Sequence, residues 1–200
     1  MQIRISIDDG HKYDLQILTL LKKHGLQDLA TFYIAPYNNQ IPVMPPSHIR
    51  ILSQDAEIGA HTLTHPVLTK LSPDNQLIEI MEGRKVLEDI TGKKITRFAY
   101  PRGWYNDETK RSAQLAGVKE ARTMKQGATH TDALSDPYAI PITIHTHPHH
   151  INGWKEALET AKANGDKGYF HITMHGWEID KFQLWEKINE IFYEIARSRN

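Results

Sequence analysis

The sequence predicts an α/β domain built on a mainly parallel sheet. Strand-like and helix-like segments alternate along the whole chain, the pattern of βαβ units. There is no internal repeat and no low-complexity linker. The polar residues best suited to chemistry fall just after the strand-like segments. A doubly wound open sheet and a barrel both satisfy these observations, and both gather functional residues at the C-terminal ends of strands. At 200 residues the chain is expected to be one domain, 1–200, large enough to bury a core.

IRISI, with Ile3, Ile5 and Ile7, alternates apolar and polar residues as a strand does. A helix from about Tyr13 to His24 follows, with Leu15, Leu18 and Leu21 on one side and Gly25 as its stop. LATFYI (29–34) is β-branched and aromatic and reads as a strand. A Pro- and Asn-rich loop covers 36–48, and EIGAH (57–61) reads as a short strand. Ser72-Pro73 opens a helix, with Ser as N-cap and Pro at the first position. Its core side is Leu77, Met81, Leu87 and Ile90, and Gly92 ends it.

ITRFAY (95–100) is a strand. Asn106 caps a helix running to Ala116 and closed by Gly117. Residues 127–137 are polar and loop-like. AIPITI (139–144) reads as a strand in which Pro141 favours an edge or a bulge. Trp154, Ala157, Leu158 and Ala161 mark a helix, and YFHITM (169–174) a strand. Phe182, Trp185, Ile188, Phe192 and Ile195 mark a long amphipathic C-terminal helix.

Composition narrows the function. Formal net charge is zero and no basic run stands out, so nucleic acid is not an expected partner. There is no cysteine, so any metal must be held by His, Asp or Glu. The opening MQIRISIDDG is too short and too charged for a signal peptide's apolar region. No stretch approaches the roughly 20 apolar residues of a membrane span. A cytoplasmic location is therefore expected. The unusual number is 12 His.

Four strand ends deliver reactive groups: Asp8 and Asp9 before Gly10, His61 with His65 in HTLTH, Pro101-Arg102-Gly103, and His175-Gly176. His61 and His65 share a face if their segment is one helical turn. A carboxylate from DDG would complete a site of two His and one Asp, with positions left for water and substrate. On their own, HxxxH also describes two solvated histidines, and DDG any polar turn.

SIDDG, EIGAHTLTHP, FAYPRG and ITMHG, in this order, resemble the motifs of the polysaccharide deacetylase (NodB-homology) family, carbohydrate esterase family 4. ATFYI and GVKEART resemble further family segments. The resemblance implies a distorted (β/α)7-type barrel, with fewer strands than a regular eight-stranded one. It makes Asp8 the catalytic base, Asp9, His61 and His65 the metal ligands, and His175 the general acid. The implied metal is divalent, most often zinc, with cobalt and nickel also found. It assigns oxyanion binding to the backbone N–H of Arg102. The implied activity is removal of N-acetyl groups from an amino sugar or polysaccharide, so the expected partner is a carbohydrate substrate.

This sequence departs from the family pattern in two places. Where the family often has RPPYG, Ala99 stands at the Arg and Arg102 at the Tyr; Arg102 is then expected to meet the base, an anionic substrate group or solvent. The fourth motif is not recognisable, so the group that tunes His175 is unidentified. Tyr100, Pro101, Gly103 and Trp177 are candidate substrate-binding residues. Trp177 also reads as a core tryptophan, and Glu178 as a solvated carboxylate able to orient His175. HTHPHH (145–150) offers His145, His147, His149 and His150 for a second metal, as a two-metal phosphoesterase would need. His11, His24, His48, His130 and His171 read as ordinary histidines, with His11 near enough to DDG to line a rim. Other readings are a deformylase or another amide hydrolase of the same fold, and a non-catalytic sugar-binding relative. The expected site is shallow and open, completed by the 36–48 and 127–137 loops.

Overall fold

The first strand explains the arrangement. In β1 (Gln2–Asp9), Ile5 and Ile7 are buried, but so are Ser6 and Asp8. The polar side of IRISI faces inward rather than to solvent. Arg4 bonds to Glu120 at 2.6 Å, Ser6 to His171 Nε2 at 2.6 Å, and Asp8 to Arg122. The isoleucine side joins the apolar core. An alternating strand buried on both faces is the pattern of a barrel with a polar interior.

A computed structural model describes residues 1–199. β1 is followed by α1 (Asp14–Lys23), β2 (Ala30–Ile34), α2 (Pro46–Asp55), β3 (Glu57–Ala60) and α3 (Pro73–Thr91). Then come β4 (Arg97–Ala99), α4 (Asp107–Leu115), β5 (Glu120–Arg122) and β6 (Ile144–His145). The chain ends with α5 (Trp154–Ala163), β7 (Tyr169–His175), α6 (Gly176–Lys181) and α7 (Trp185–Arg197). All strand pairs are parallel, in the order β5-β4-β3-β2-β1-β7-β6.

The sheet curls. β5 and β1 are four places apart, roughly 19 Å in a flat sheet at about 4.8 Å per strand. Yet Arg4 and Asp8 of β1 touch Glu120 and Arg122 of β5. Residues 139–143 close the gap between the edges. Thr123 N–H donates to Ile140 O at 2.8 Å on the β5 side, and Thr143 N–H donates to His171 O at 2.8 Å on the β7 side. The expected distorted seven-stranded barrel is therefore the observed fold.

Register brings the strand ends together. Asp8 pairs with His175 across β1 and β7, Asp9 with Ile34, Ile34 with Ala60, and Ala99 with Arg122. DDG, HTLTH, PRG and HG thus leave the sheet at one rim.

Local differences from expectation have local causes. The loop expected over 36–48 stops at Pro45, because Pro45-Pro46 starts α2, a helix whose Ile49 and Leu52 pack inward. The buried face of α3 is Gln76, Ile80, Gly83 and Leu87, while Met81 is 46% exposed. A glutamine and a glycine on that face disguise its apolar period. Ser72 caps α3 as expected, its Oγ accepting from Asn75 N–H. The strand expected over 139–144 shrinks to Ile144–His145 beyond Pro141. The C-terminal helix starts at Trp185, not Phe182, because Gln183 is left-handed (φ 55°) and separates α6 from α7.

Candidate active site

Asp8 and Asp9 take different directions because successive side chains of β1 alternate and Asp9, its last residue, turns left-handed. Asp8 stays extended and points into the barrel, where Arg122 meets it. Asp9 turns left-handed (φ 83°), as does Gly10 (φ 80°). A Cβ on Gly10 would lie 2.7 Å from Ile34 Cγ2, so only glycine fits this turn.

The HTLTH pair converges without a helical turn. His61 continues β3, its N–H donating to Ile34 O at 3.0 Å. Thr62 (φ 68°) and His65 (φ 64°) are left-handed and fold the loop back. Glu79 of α3 holds the loop, accepting from Leu63 and Thr64 N–H at 3.0 Å each and from Thr64 Oγ1 at 2.8 Å. α3 can come this close because Gly83 lies on the loop backbone; a Cβ there would stand 2.5 Å from Thr62 C and O.

The result is a buried donor set. His65 Nε2 lies 3.3 Å and His61 Nε2 3.7 Å from Asp9 Oδ1. His61 Nδ1 bonds to Ala99 O at 2.7 Å, which assigns it the proton and leaves the Nε2 lone pair facing Asp9. Asp9 Oδ1 is buried with no hydrogen-bond partner, while Trp177 Nε1–H donates to Asp9 Oδ2 at 2.9 Å. Burial lowers the pKa of both histidines, that of His65 to about 4 with His61 adding to the effect. Both are therefore neutral near pH 7. Two neutral imidazoles and an orphaned carboxylate oxygen fit a divalent metal.

Asp8 sits beside this set. Burial works against its charge, but Arg122, His61 and His175 outweigh burial and hold its pKa below the usual value. Arg122 is 1% exposed, and its guanidinium also lies 5.2 Å from the Tyr33 ring centroid. Sequence reasoning missed Arg122: nothing local in GVKEART indicates that this side chain crosses the barrel.

His175 Nε2 is 3.9 Å from both Asp8 Oδ2 and Asp9 Oδ2. Its Nδ1 lies 2.9 Å from Glu178 Oε2 and 3.1 Å from His145 Nε2. Burial lowers its pKa, but the Glu178 hydrogen bond and the carboxylates of Asp9 and Asp8 overcome this and raise it to about 9. Glu178 is 8% exposed, not solvated, and it also lies 3.2 Å from His145 Nε2. The unidentified partner of His175 is thus the residue three further on, brought under it by the first turn of α6. His145, from HTHPHH, belongs to this network, and its three polar atoms could also surround a cation; hydrogen bonds account for their closeness. His149 and His150 are exposed.

These groups line one cavity of about 470 Å³. Asp8, Asp9, His61, His65 and His175 contribute to its lining, as do Tyr100, Arg102 and Trp177. Trp177 is therefore a site residue, not a core one. Pro101 and Gly103 do not line the cavity; they form the turn that presents Arg102, with Gly103 left-handed (φ 72°). Arg102 does not meet the base. It is exposed, left-handed (φ 59°), and donates from Nη2 to Gln40 Oε1 at 3.0 Å. The 36–48 loop supplies Asn38, Gln40 and Ile41, but the 127–137 loop supplies no lining residue among those described.

Comparison with known proteins identifies the family and the fold. A family model described as "Polysaccharide deacetylase" matches residues 2–121. The peptidoglycan-N-acetylmuramic acid deacetylase PdaC of Bacillus subtilis is 32% identical over 188 residues, covering 90% of this chain and 39% of that protein. A peptidoglycan-N-acetylglucosamine deacetylase of Bacillus cereus is 30% identical over 119 residues, 58% of this chain and 54% of that one. The chain thus spans about half or less of these relatives' lengths. Among solved structures, a family 4 carbohydrate esterase from Streptomyces lividans in complex with acetate aligns with a TM-score of 0.65 at 18% identity. That alignment covers 98% of this chain and 86% of the other. A CE4 family pseudoenzyme from Bacillus anthracis aligns at 0.60 and 20% identity, over 94% of this chain and 60% of its own. The seven-stranded fold is shared with both, and the matched family model covers more than half of the sequence: the chain belongs to the polysaccharide deacetylase family.

Proposed function

We propose that the protein is a metal-dependent hydrolase that removes N-acetyl groups from an amino sugar within a glycan. The observation that carries this reading is one cavity lined by a carboxylate paired with Arg122, a histidine paired with Glu178, and a converging set of two histidines and an aspartate. A shared fold alone would not carry it, since a pseudoenzyme has the same fold.

Each residue has a separable task. Asp9, His61 and His65 would hold a divalent ion, zinc by family resemblance. Such an ion supplies Lewis acidity, polarising the amide carbonyl and making water more acidic. Asp8, kept ionised by Arg122, accepts the proton of the attacking water. His175, protonated at neutral pH through Glu178, gives its Nε2 proton to the departing nitrogen. The Arg102 backbone N–H is assigned to the developing oxyanion. Trp177 fixes Asp9 and walls the cavity.

The test is acetate release from a panel of N-acetylated sugars and oligosaccharides, with and without a chelator, for wild type and Asp8→Asn. Release that stops with chelator and falls by at least about 100-fold in Asp8→Asn is expected. Release unaffected by either would overturn the reading.

A further inference from the structure

We propose that the segment 145–150, which links β6 to α5, is a second metal-binding site, separate from the set of Asp9, His61 and His65. His147 stands at its centre, with His145, His149 and His150 around it. The donors are all imidazoles, a set that takes nickel, copper or zinc ions rather than magnesium or calcium.

The ring spacings suit a shared ion. The centroids of His145, His149 and His150 lie 6.1, 4.9 and 6.3 Å from that of His147, and those of His145 and His150 are 6.5 Å apart. With metal–nitrogen bonds of about 2.0–2.1 Å, imidazoles on one ion have ring centroids roughly 4.5–6.4 Å apart, depending on the angle between them. His147 and His149 stand at such a spacing. The wider pairs close by movements of about 1 Å in the half-buried His147 and the exposed His150. Each ring also has a nitrogen to give. His145 commits Nε2 to Glu178 and His175, while its Nδ1 has no hydrogen-bond partner among the described residues. His147 Nδ1 accepts from His149 N–H at 3.4 Å, which leaves Nε2. The rings of His149 and His150 make no hydrogen bond among the described residues.

The fold gathers these rings. Thr146 N–H donates to Thr173 O at 3.0 Å and ties the segment to β7. After Pro148 the chain turns back, and His150 and Ile151 N–H both donate to His147 O, at 2.8 and 3.0 Å. The turn brings His147 and His150 together as its first and fourth residues. Buried Ile144 and Ile151 anchor its two ends. Phe182 packs edge-on against His147, with centroids 5.2 Å apart, and backs that ring. His147, His149 and His150 neither join the apolar core nor line the active-site cavity, and the Glu178 network uses only His145. Metal ligation gives these three histidines a task that packing and the proposed hydrolysis do not.

The experiment titrates nickel into the full chain by calorimetry, as wild type and as Asp9→Asn/His61→Ala, in which the first donor set is dismantled. Wild type is expected to take up two ions and the double variant one. Adding His147→Gln to the double variant should weaken the remaining ion by at least about tenfold, and adding His150→Gln by several-fold. Adding His130→Gln, a change outside the segment, should leave it unaltered. Unfolding the double variant in urea should lower the affinity by at least about tenfold, because the turn that gathers the rings is lost. Copper bound to the folded double variant should show three or more nitrogen ligands by electron paramagnetic resonance. No ion in the double variant, an affinity untouched by His147→Gln, an equal affinity in urea, or fewer than three nitrogens each overturns the proposal. If wild type takes up one ion and the double variant keeps it, the first donor set fails as a metal site while the histidine segment stands.

Discussion

Replacing Arg122 by methionine removes the positive charge facing Asp8 while keeping most of the volume. Arg122 is 1% and Asp8 2% exposed, so the remaining carboxylate would keep its charge with little solvation beyond what the cavity offers. Breaking a buried pair by deleting one partner typically costs about 3–5 kcal/mol. Loss of the guanidinium's position over Tyr33 adds about 0.5–1 kcal/mol. At roughly 2–4 °C per kcal/mol for a domain of this size, the melting temperature should fall by about 7–24 °C. The deficit has a pH signature. In the wild type the Asp8 pKa is lowered, so its contribution is present above the unfolded value and is lost only in strong acid. In Arg122→Met burial, the largest influence, is opposed only by His61 and His175 and raises it, so the penalty grows as pH rises and shrinks as pH falls toward 5, by at most about 1.4 kcal/mol per pH unit. Urea denaturation of metal-free protein at pH 5 and pH 7.5 measures this. Adding Asp8→Asn to Arg122→Met removes the stranded charge and should restore at least about half of the loss. A cost under about 1 kcal/mol, or a double variant no more stable than Arg122→Met, would show that the pair is not what holds Asp8.

Two further outcomes follow from the same geometry. Glu178→Gln removes the group that keeps His175 protonated, so its pKa falls from about 9 and the alkaline limb of activity moves to lower pH, with roughly tenfold less acetate release at pH 8; an unchanged pH profile would leave Glu178 without this role. Gly83→Ala forces a methyl onto the Thr62 backbone and should cost about 1–3 kcal/mol in thermal unfolding; an unchanged melting temperature would mean that α3 does not rest on the HTLTH loop.

What the sequence made legible was what is local. Asp8, Asp9, His61, His65 and His175 follow strand signals directly, so short motifs at strand ends identify them. Glu178 lies one helical turn after His175, yet a lone Glu after HGW does not announce that it is buried. Arg122 lies 114 residues from Asp8 in sequence and meets it only because the sheet curls. The polar interior also misleads: Ser6, Asp8 and His171 look like solvent-facing or ordinary residues until the strand is known to be buried on both sides. α3 hides its inner face because Gln76 is buried through hydrogen bonds, donating to Leu71 O at 3.0 Å and accepting from Ser112 Oγ at 3.2 Å.

Among the described residues, five non-glycine positions have positive φ: Asp9, Thr62, His65, Arg102 and Gln183. Four of these belong to the site loops, at a cost on the order of 1 kcal/mol each. This sets a ceiling on how stable the protein can become without losing its chemistry. Glycine would relax each turn, but at Asp9 and His65 it would delete a member of the candidate metal site, and at Arg102 the rim cation. At Thr62 it would remove the hydroxyl that accepts from His65 N–H at 3.0 Å. Selection or engineering for heat resistance must therefore work on the helices and the far end of the barrel. Variants recovered for stability alone should accumulate glycine at these four positions only when activity is no longer demanded.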